Sequence, residues 1–122
     1  MKALVVDDSR AMRLILGRTL EPLGFSVSEA ADGAEALRLV RAGLVPDLVL
    51  VDWNMPEVSG LDVVRALATH PARPGMRIVM VTTETEIDRV AEALQNGADE
   101  YLMKPFTREA VADKLGLLGL VP

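Results

Sequence analysis

Three short runs along the chain are apolar at every position. They are residues 3–6, 48–51 and 78–81. Unbroken apolar runs of this length, bounded by polar residues, are typical of parallel strands that are covered on both faces. Residues 25–30 and 101–103 form two weaker candidates, which are shorter or alternate with polar residues. We expect the three apolar runs to form the middle of a sheet and the weaker pair to form its edges.

Between these runs the apolar residues follow the period of an amphipathic helix. One predicted helix face carries Met12, Ile15, Leu16 and Leu23, and another carries Ile87, Val90, Ala91, Leu94 and Ala98. Residues typical of helix starts and helix ends support this interpretation. Asp32 with Glu35, and Ser59 with Asp62, each match an N-cap side chain followed by an acid at N3. The Asn-Gly pair at 96–97 matches a helix C-terminus that needs a left-handed residue.

Five strand–helix units with right-handed crossovers predict an α/β fold with a doubly wound, five-stranded parallel sheet between two helical layers. Three buried strands and two edge strands place strands one, three and four in the middle. The strand order 2-1-3-4-5 satisfies this requirement, as in flavodoxin-like three-layer sandwiches. In such sheets ligands bind at the carboxyl ends of strands one and three.

Polar side chains that could bind a metal or take part in a reaction follow four of the predicted strands. Asp7 and Asp8 follow strand one, Asp52 follows strand three, Thr82 follows strand four and Lys104 follows strand five. Three neighbouring carboxylates repel one another, and a hard divalent cation such as Mg²⁺ would relieve that repulsion. Metal on one side and the lysine ammonium on the other would balance an oxyanion on Asp52. The sequence therefore predicts a cation site at this edge of the sheet.

Composition narrows the class of protein. The 122 residues are 50% apolar, which is enough for one domain, residues 1–122, with a core of its own. No cysteine is present, which excludes disulfides, thiolate metal sites and a cysteine nucleophile. A net charge of −5 without a basic run argues against nucleic acid. The N-terminal apolar run is too short for a signal peptide or membrane insertion, so we expect a cytoplasmic protein.

Five segments together resemble the receiver domain of two-component response regulators. They read VVDDSRAMR, EAADGAEAL, DLVLVDWNMPEVSGLDVV, MVTTETE and YLMKPFTRE. The resemblance extends from residue 2 to about residue 118, and it implies the strand order given above. It also implies a phosphoprotein that takes a phosphoryl group from a histidine kinase onto an aspartyl side chain. Such a domain is a signalling module that catalyses at most its own phosphorylation and dephosphorylation.

The resemblance assigns roles to individual residues. Asp52 would be the phosphoacceptor, and Asp8 and Asp52 would bind Mg²⁺ directly. Asp7 would hold the metal through water, and Asn54 would offer its backbone carbonyl. Thr82 and Lys104 would each contact a phosphoryl oxygen, and these roles agree with the needs of phosphoryl transfer.

Further roles implied by the family concern switching and lifetime. Thr82 and Tyr101 would form the switch, with the aromatic ring moving inward after phosphorylation. Asn54 and Glu84 would flank a water that attacks the acyl phosphate and so would tune its lifetime. The Lys104–Pro105 bond would be cis, and Pro56 and Gly60 would shape the loop after Asp52, although turn formation alone explains these two equally well.

Two enzyme or carrier classes share parts of this pattern. Phosphatases of the haloacid-dehalogenase type also form an aspartyl phosphate, but they place an Asp-x-Asp nucleophile after strand one and usually carry a cap domain. Flavodoxin-like flavin carriers cradle a phosphate in the first loop, where Asp7 and Asp8 would repel it. We therefore expect a signalling module.

The predicted output is partner binding. The family's target face would be helix 4, strand 5 and helix 5, at residues 86–96, 100–103 and 107–118. Similarity to the family's freestanding chemotaxis regulators suggests a monomer acting on a flagellar motor switch protein. In those regulators helix 4 begins with lysines, whereas residues 85–88 here read Thr-Glu-Ile-Asp and Lys114 is the only lysine of the three segments. A different target, a phosphorelay shuttle, a phosphate sink and an excised receiver of a longer protein all stay open.

Overall fold

A computed structural model describes residues 1–53, 55, 58–83 and 88–121. Within these residues one parallel sheet has the order β2-β1-β3-β4-β5. Its strands are β1 Lys2–Val6, β2 Ser26–Ala30, β3 Leu48–Asp52, β4 Arg77–Thr83 and β5 Glu100–Lys104. The α-helices are α1 Arg10–Leu20, α2 Gly33–Arg41, α3 Gly60–Ala68, α4 Val90–Gln95 and α5 Arg108–Leu117. The predicted fold class and strand order are confirmed.

Successive residues of the central strands face opposite helical layers. In β3, Val49 and Val51 belong to a core shared with α2, α3 and α4. Leu48 and Leu50 belong to a second core shared with α1 and α5. This alternation follows from the two-residue period of a strand, and it explains why every position of the run is apolar. The three layers place the carboxyl ends of all five strands at one edge.

Helix caps confirm both predicted N-termini. The Asp32 carboxylate accepts the Glu35 backbone N–H at 2.7 Å, and Ser59 and Asp62 form a capping box. Gly97 takes the left-handed conformation after α4, with φ of 123°. Ser9 and Thr107 also cap helices, α1 and α5, which the apolar pattern alone does not indicate.

Three predicted helix-face assignments are wrong. Ile15 is 50% exposed, Leu94 is 42% exposed and Ala91 is exposed as well, so none of these side chains belongs to a core. In α1 the buried positions are Leu16, Thr19 and Leu20, and Ile15 lies about 100° around the helix from Leu16. The short helix α4 buries only Val90 and Ala93. Ile87 lies outside the described residues. Among the described residues, none of the helices is both long enough and apolar enough to span a membrane.

Candidate phosphoacceptor and cation site

Three carboxylates meet at the carboxyl edge of the sheet. Asp7 and Asp8 directly follow β1, and Asp52 is the last residue of the neighbouring strand β3. One carboxylate oxygen from each residue lies within 4.8 Å of the others. Asp7 and Asp52 are buried, at 1% and 7% exposure, whereas Asp8 is exposed to solvent. The site therefore combines two desolvated acids with one that solvent reaches.

Lys104 supplies the positive charge that the sequence predicts. It is the last residue of β5, and its Nζ donates to Asp7 Oδ2 at 3.3 Å and to Asp52 Oδ1 at 3.4 Å. The lysine side chain is only 19% exposed, so solvent screens these ion pairs less than it would at an open surface. The Lys104–Pro105 peptide bond is cis. The single ammonium leaves the three carboxylates with excess negative charge, which favours a further cation.

The chemistry of the donor set suits Mg²⁺. The three side chains offer oxygen donors, which are the ligands that this hard cation takes from proteins. They come together at one end of the sheet, where Asp8 is open to solvent and leaves room for metal-bound water. These residues could thus hold a divalent cation.

Two residues whose contacts sequence reasoning missed, Ser9 and Arg13, hold the loop after β1. The Ser9 backbone N–H donates to Asp7 Oδ1 at 2.8 Å. In α1, Arg13 donates through Nη1 to the Asp7 backbone carbonyl at 2.7 Å and through Nε to Glu29 Oε1 at 3.0 Å. The only sequence signal for Arg13 is a cation just inside the first predicted helix. Its partner Glu29 lies 16 positions later, on strand β2, so local spacing could not reveal the pair.

Gly60 brings the start of α3 against the end of β3. Its backbone N–H donates to the Trp53 carbonyl at 3.1 Å. A Cβ at this position would lie 2.3 Å from the Asp52 carbonyl oxygen, so a side chain would displace the backbone beside the candidate phosphoacceptor. Close approach, rather than turn formation alone, therefore explains this glycine. Pro56, in the same loop, lies outside the described residues.

The two predicted switch residues lie on adjacent strands. Thr82, on β4, is 1% exposed, and its hydroxyl donates to the Thr83 carbonyl at 3.3 Å. Tyr101, on β5, is half-buried and packs against the core on the α2, α3 and α4 side. The Lys114 Nζ lies 4.3 Å from the centre of its ring and 3.2 Å from Glu100 Oε1. The tyrosine side chain thus contacts the core on one side and a cation of α5 on another.

The remaining predicted site residues, Asn54 and Glu84, lie outside the described residues. Trp53, next to Asp52, is buried in the core, and the Arg89 guanidinium carbon lies 5.8 Å from the centre of its ring. A tryptophan in this position can report changes at the acidic site by its fluorescence.

Comparison with known proteins identifies the class. The family model described as response regulator receiver domain matches residues 3–116. The chain belongs to this family of signalling domains.

Individual relatives support this assignment by their names and by the length of their alignments with the chain. The chain is 39% identical to chemotaxis protein CheY of Pseudomonas aeruginosa and 41% identical to chemotaxis protein CheY1 of Helicobacter pylori. The alignments span 116 residues, or 94% of this chain and 93% and 94% of those proteins. Chemotaxis response regulator CheY4 of Vibrio cholerae has a similar solved structure, with a TM-score of 0.87 and 35% identity. That match covers 96% of this chain and 97% of CheY4. The chain is therefore CheY-like in both sequence and fold.

Proposed function

We propose that this chain is a phosphorylation-controlled switch in which Asp52 accepts a phosphoryl group from a phosphohistidine on a kinase. One observation carries the proposal: the Lys104 ammonium reaches both Asp7 and Asp52 beside the exposed carboxylate of Asp8. A nucleophilic carboxylate, an acidic cation site and an extra ammonium are the groups that phosphoryl transfer needs, because this reaction depends on positioning and charge neutralisation. The family membership supports the same conclusion.

In the proposed reaction a carboxylate oxygen of Asp52 attacks phosphorus in line with the P–N bond of the donor. That bond breaks, and its electron pair stays with the departing imidazole, which takes up a proton. Asp7, Asp8 and Asp52 would hold Mg²⁺ with the backbone carbonyl of Asn54, and the bound metal would neutralise charge on the phosphoryl oxygens. Lys104 would pair with one phosphoryl oxygen, and Thr82 would donate its hydroxyl to another.

The consequences of phosphorylation would pass through Thr82 and Tyr101. Movement of the Thr82 hydroxyl toward the phosphoryl group would let the Tyr101 ring turn inward and shift an existing equilibrium between two conformations. Asn54 and Glu84 would flank the hydrolytic water and tune the lifetime of the acyl phosphate. On this account the chain is a phosphoacceptor and not an enzyme that turns over a separate substrate.

The target face would comprise α4, β5 and α5. It carries apolar side chains open to solvent on all three elements, which support contact with a protein partner. They are Leu94, Met103 and Leu117, with exposures of 42%, 36% and 76%. The names of the relatives favour a role in chemotaxis. The resemblance to freestanding chemotaxis regulators adds a motor switch protein as the proposed target. We take residues 1–122 as one receiver domain that works as a monomer in the cytoplasm.

A second candidate rests on the residues before α4. Residues 85–88 read Thr-Glu-Ile-Asp, and an acidic segment would repel an acidic target that lysines would attract. A phosphorelay shuttle or a phosphate sink needs no such target. Binding of the phosphorylated chain to a motor switch protein would favour the first role, and return of phosphate to a histidine protein would favour the second.

Fluorescence of Trp53 tests the proposal. We expect one change on adding Mg²⁺ and a second on adding acetyl phosphate, a small phosphodonor. Asp52→Asn should abolish the second change, because the amide oxygen is a poor nucleophile. A second change that survives in this variant would contradict Asp52 as the acceptor.

A further inference from the structure

Arg13 joins the acidic loop to the neighbouring edge strand. Its Nη1 donates to the Asp7 backbone carbonyl at 2.7 Å, and its Nε contacts Glu29 on β2 at 3.0 Å. The arginine side chain is 15% exposed, whereas that of Glu29 is 52% exposed. We propose that Arg13 is a positioning residue that orients the Asp7–Asp8 peptide, and with it the carboxylates that receive the cation. The inference rests on the proposed function, because it concerns the same site.

The carbonyl that Arg13 contacts belongs to the peptide between the two acids. Asp7 is also held by its own backbone N–H, which donates to Ala30 at 3.1 Å, and its carboxylate contacts Ser9 and Lys104. The described residues provide no comparable side-chain contact for the exposed carboxylate of Asp8. The orientation of the shared peptide therefore determines where Asp8 points, and the Arg13 contact restrains that orientation.

Charge and positioning predict opposite effects for the loss of Arg13. As a cation near the acidic cluster, the guanidinium would repel Mg²⁺, and its removal would tighten binding. As a positioning group, it holds the carboxylates together, and its removal would weaken binding. The ion pair with Glu29 offsets part of the charge of Arg13, so we expect the positioning effect to dominate.

Arg13→Met tests whether the loss of Arg13 weakens or tightens Mg²⁺ binding. It keeps an apolar side chain of similar length and removes the charge and both hydrogen-bond contacts. The dissociation constant for Mg²⁺ should rise about tenfold, as when an outer-shell partner of a metal ligand is lost. Arg13→Lys keeps the charge but cannot span both partners, so it should recover only part of the affinity. Trp53 fluorescence and the increase in melting temperature with Mg²⁺ concentration measure the affinity independently.

Arg73 offers a control at the opposite end of the strands, where β4 and β5 begin. It too joins backbone carbonyls to a carboxylate: it donates to the carbonyls of Met76 and Gly97, at 2.5 and 2.6 Å, and to the carboxylate of Asp99 at 3.1 Å. Its side chain is 19% exposed, close to the value for Arg13. Because Arg73 makes more hydrogen bonds than Arg13, Arg73→Met should lower the urea midpoint without Mg²⁺ by at least as much as Arg13→Met, and leave the Mg²⁺ dissociation constant unchanged.

Each outcome decides the matter. A weaker Mg²⁺ site in Arg13→Met alone supports positioning. An unchanged or tighter site in Arg13→Met overturns it, and equal weakening in Arg73→Met would show that lost stability is the cause. If the unaltered chain shows no Mg²⁺ response in either measurement, the proposed metal site itself fails, which is distinguishable from failure of the Arg13 role alone.

Discussion

The ammonium nitrogen of Lys104 lies 3.4 Å from Asp52 Oδ1, although the two residues are 52 positions apart. Parallel strands make this contact possible, because Lys104 and Asp52 end β5 and β3 at the same edge of the sheet. The lysine shares its charge between Asp52 and Asp7. It would therefore compete with a bound metal for these carboxylates, and under the proposed function it would pair with the phosphoryl group once Asp52 is phosphorylated.

Lys104→Met should tighten the binding of Mg²⁺. Unit charges about 4 Å apart interact by about 1 kcal/mol in water and by more in a partly buried site, so the dissociation constant should fall roughly fivefold or more. A titration with Mg²⁺ followed by Trp53 fluorescence measures this dissociation constant. Lys114→Met, which removes a lysine that pairs with Glu100 instead, is the control and should bind Mg²⁺ as before. Unchanged or weaker binding in Lys104→Met would count against competition for the carboxylates.

Tyr101 should change its environment when Asp52 is phosphorylated. It is the only tyrosine of the chain, so fluorotyrosine labelling gives a single ¹⁹F resonance. Adding Mg²⁺ and acetyl phosphate should shift this resonance, because the ring leaves the cation of Lys114 and turns inward. Thr82→Ala should still be phosphorylated but show a much smaller shift. A full shift in that variant would rule out Thr82 as the link to the tyrosine.

Gly60→Ala should destabilise the fold and disturb Asp52. The added Cβ would meet the Asp52 carbonyl at 2.3 Å, and the backbone shift needed should cost about 1–3 kcal/mol or more. Gly116→Ala is the matched control, since nothing lies within 4 Å of its Cβ in α5. That substitution should stabilise the fold by about 0.5–1 kcal/mol, because alanine suits a helix better than glycine. Urea unfolding compares the two, and equal effects would refute the close-approach argument.

Much of the fold could be predicted because the central strands carry a strong local signal. Every residue from 48 to 51 is apolar, and the structure buries all four between two helical layers. Exposure of single helix positions was less predictable. Ile15 and Leu94 are apolar and follow the expected spacing, but both are exposed, because the width of a buried helix face depends on neighbouring elements.

In the candidate site, too, some features could be predicted from the sequence and others could not. The convergence of Asp7, Asp8, Asp52 and Lys104 follows from strand order, and the structure brings these four residues together. Their individual roles came from the family resemblance and stay predictions. Contacts such as Arg13 with the Asp7 carbonyl depend on how α1 crosses the sheet, which no residue spacing specifies.

The most direct test of the central claim is the intact mass of the chain after incubation with acetyl phosphate and Mg²⁺. The account predicts that the chain gains one phosphoryl group, that removing Mg²⁺ with a chelator prevents this, and that Asp52→Asn gains none. Asp113→Asn, an exposed acid on α5, should be phosphorylated like the unaltered chain. No gain in the unaltered chain, or an equal gain in Asp52→Asn, would contradict the assignment of Asp52 as the phosphoacceptor.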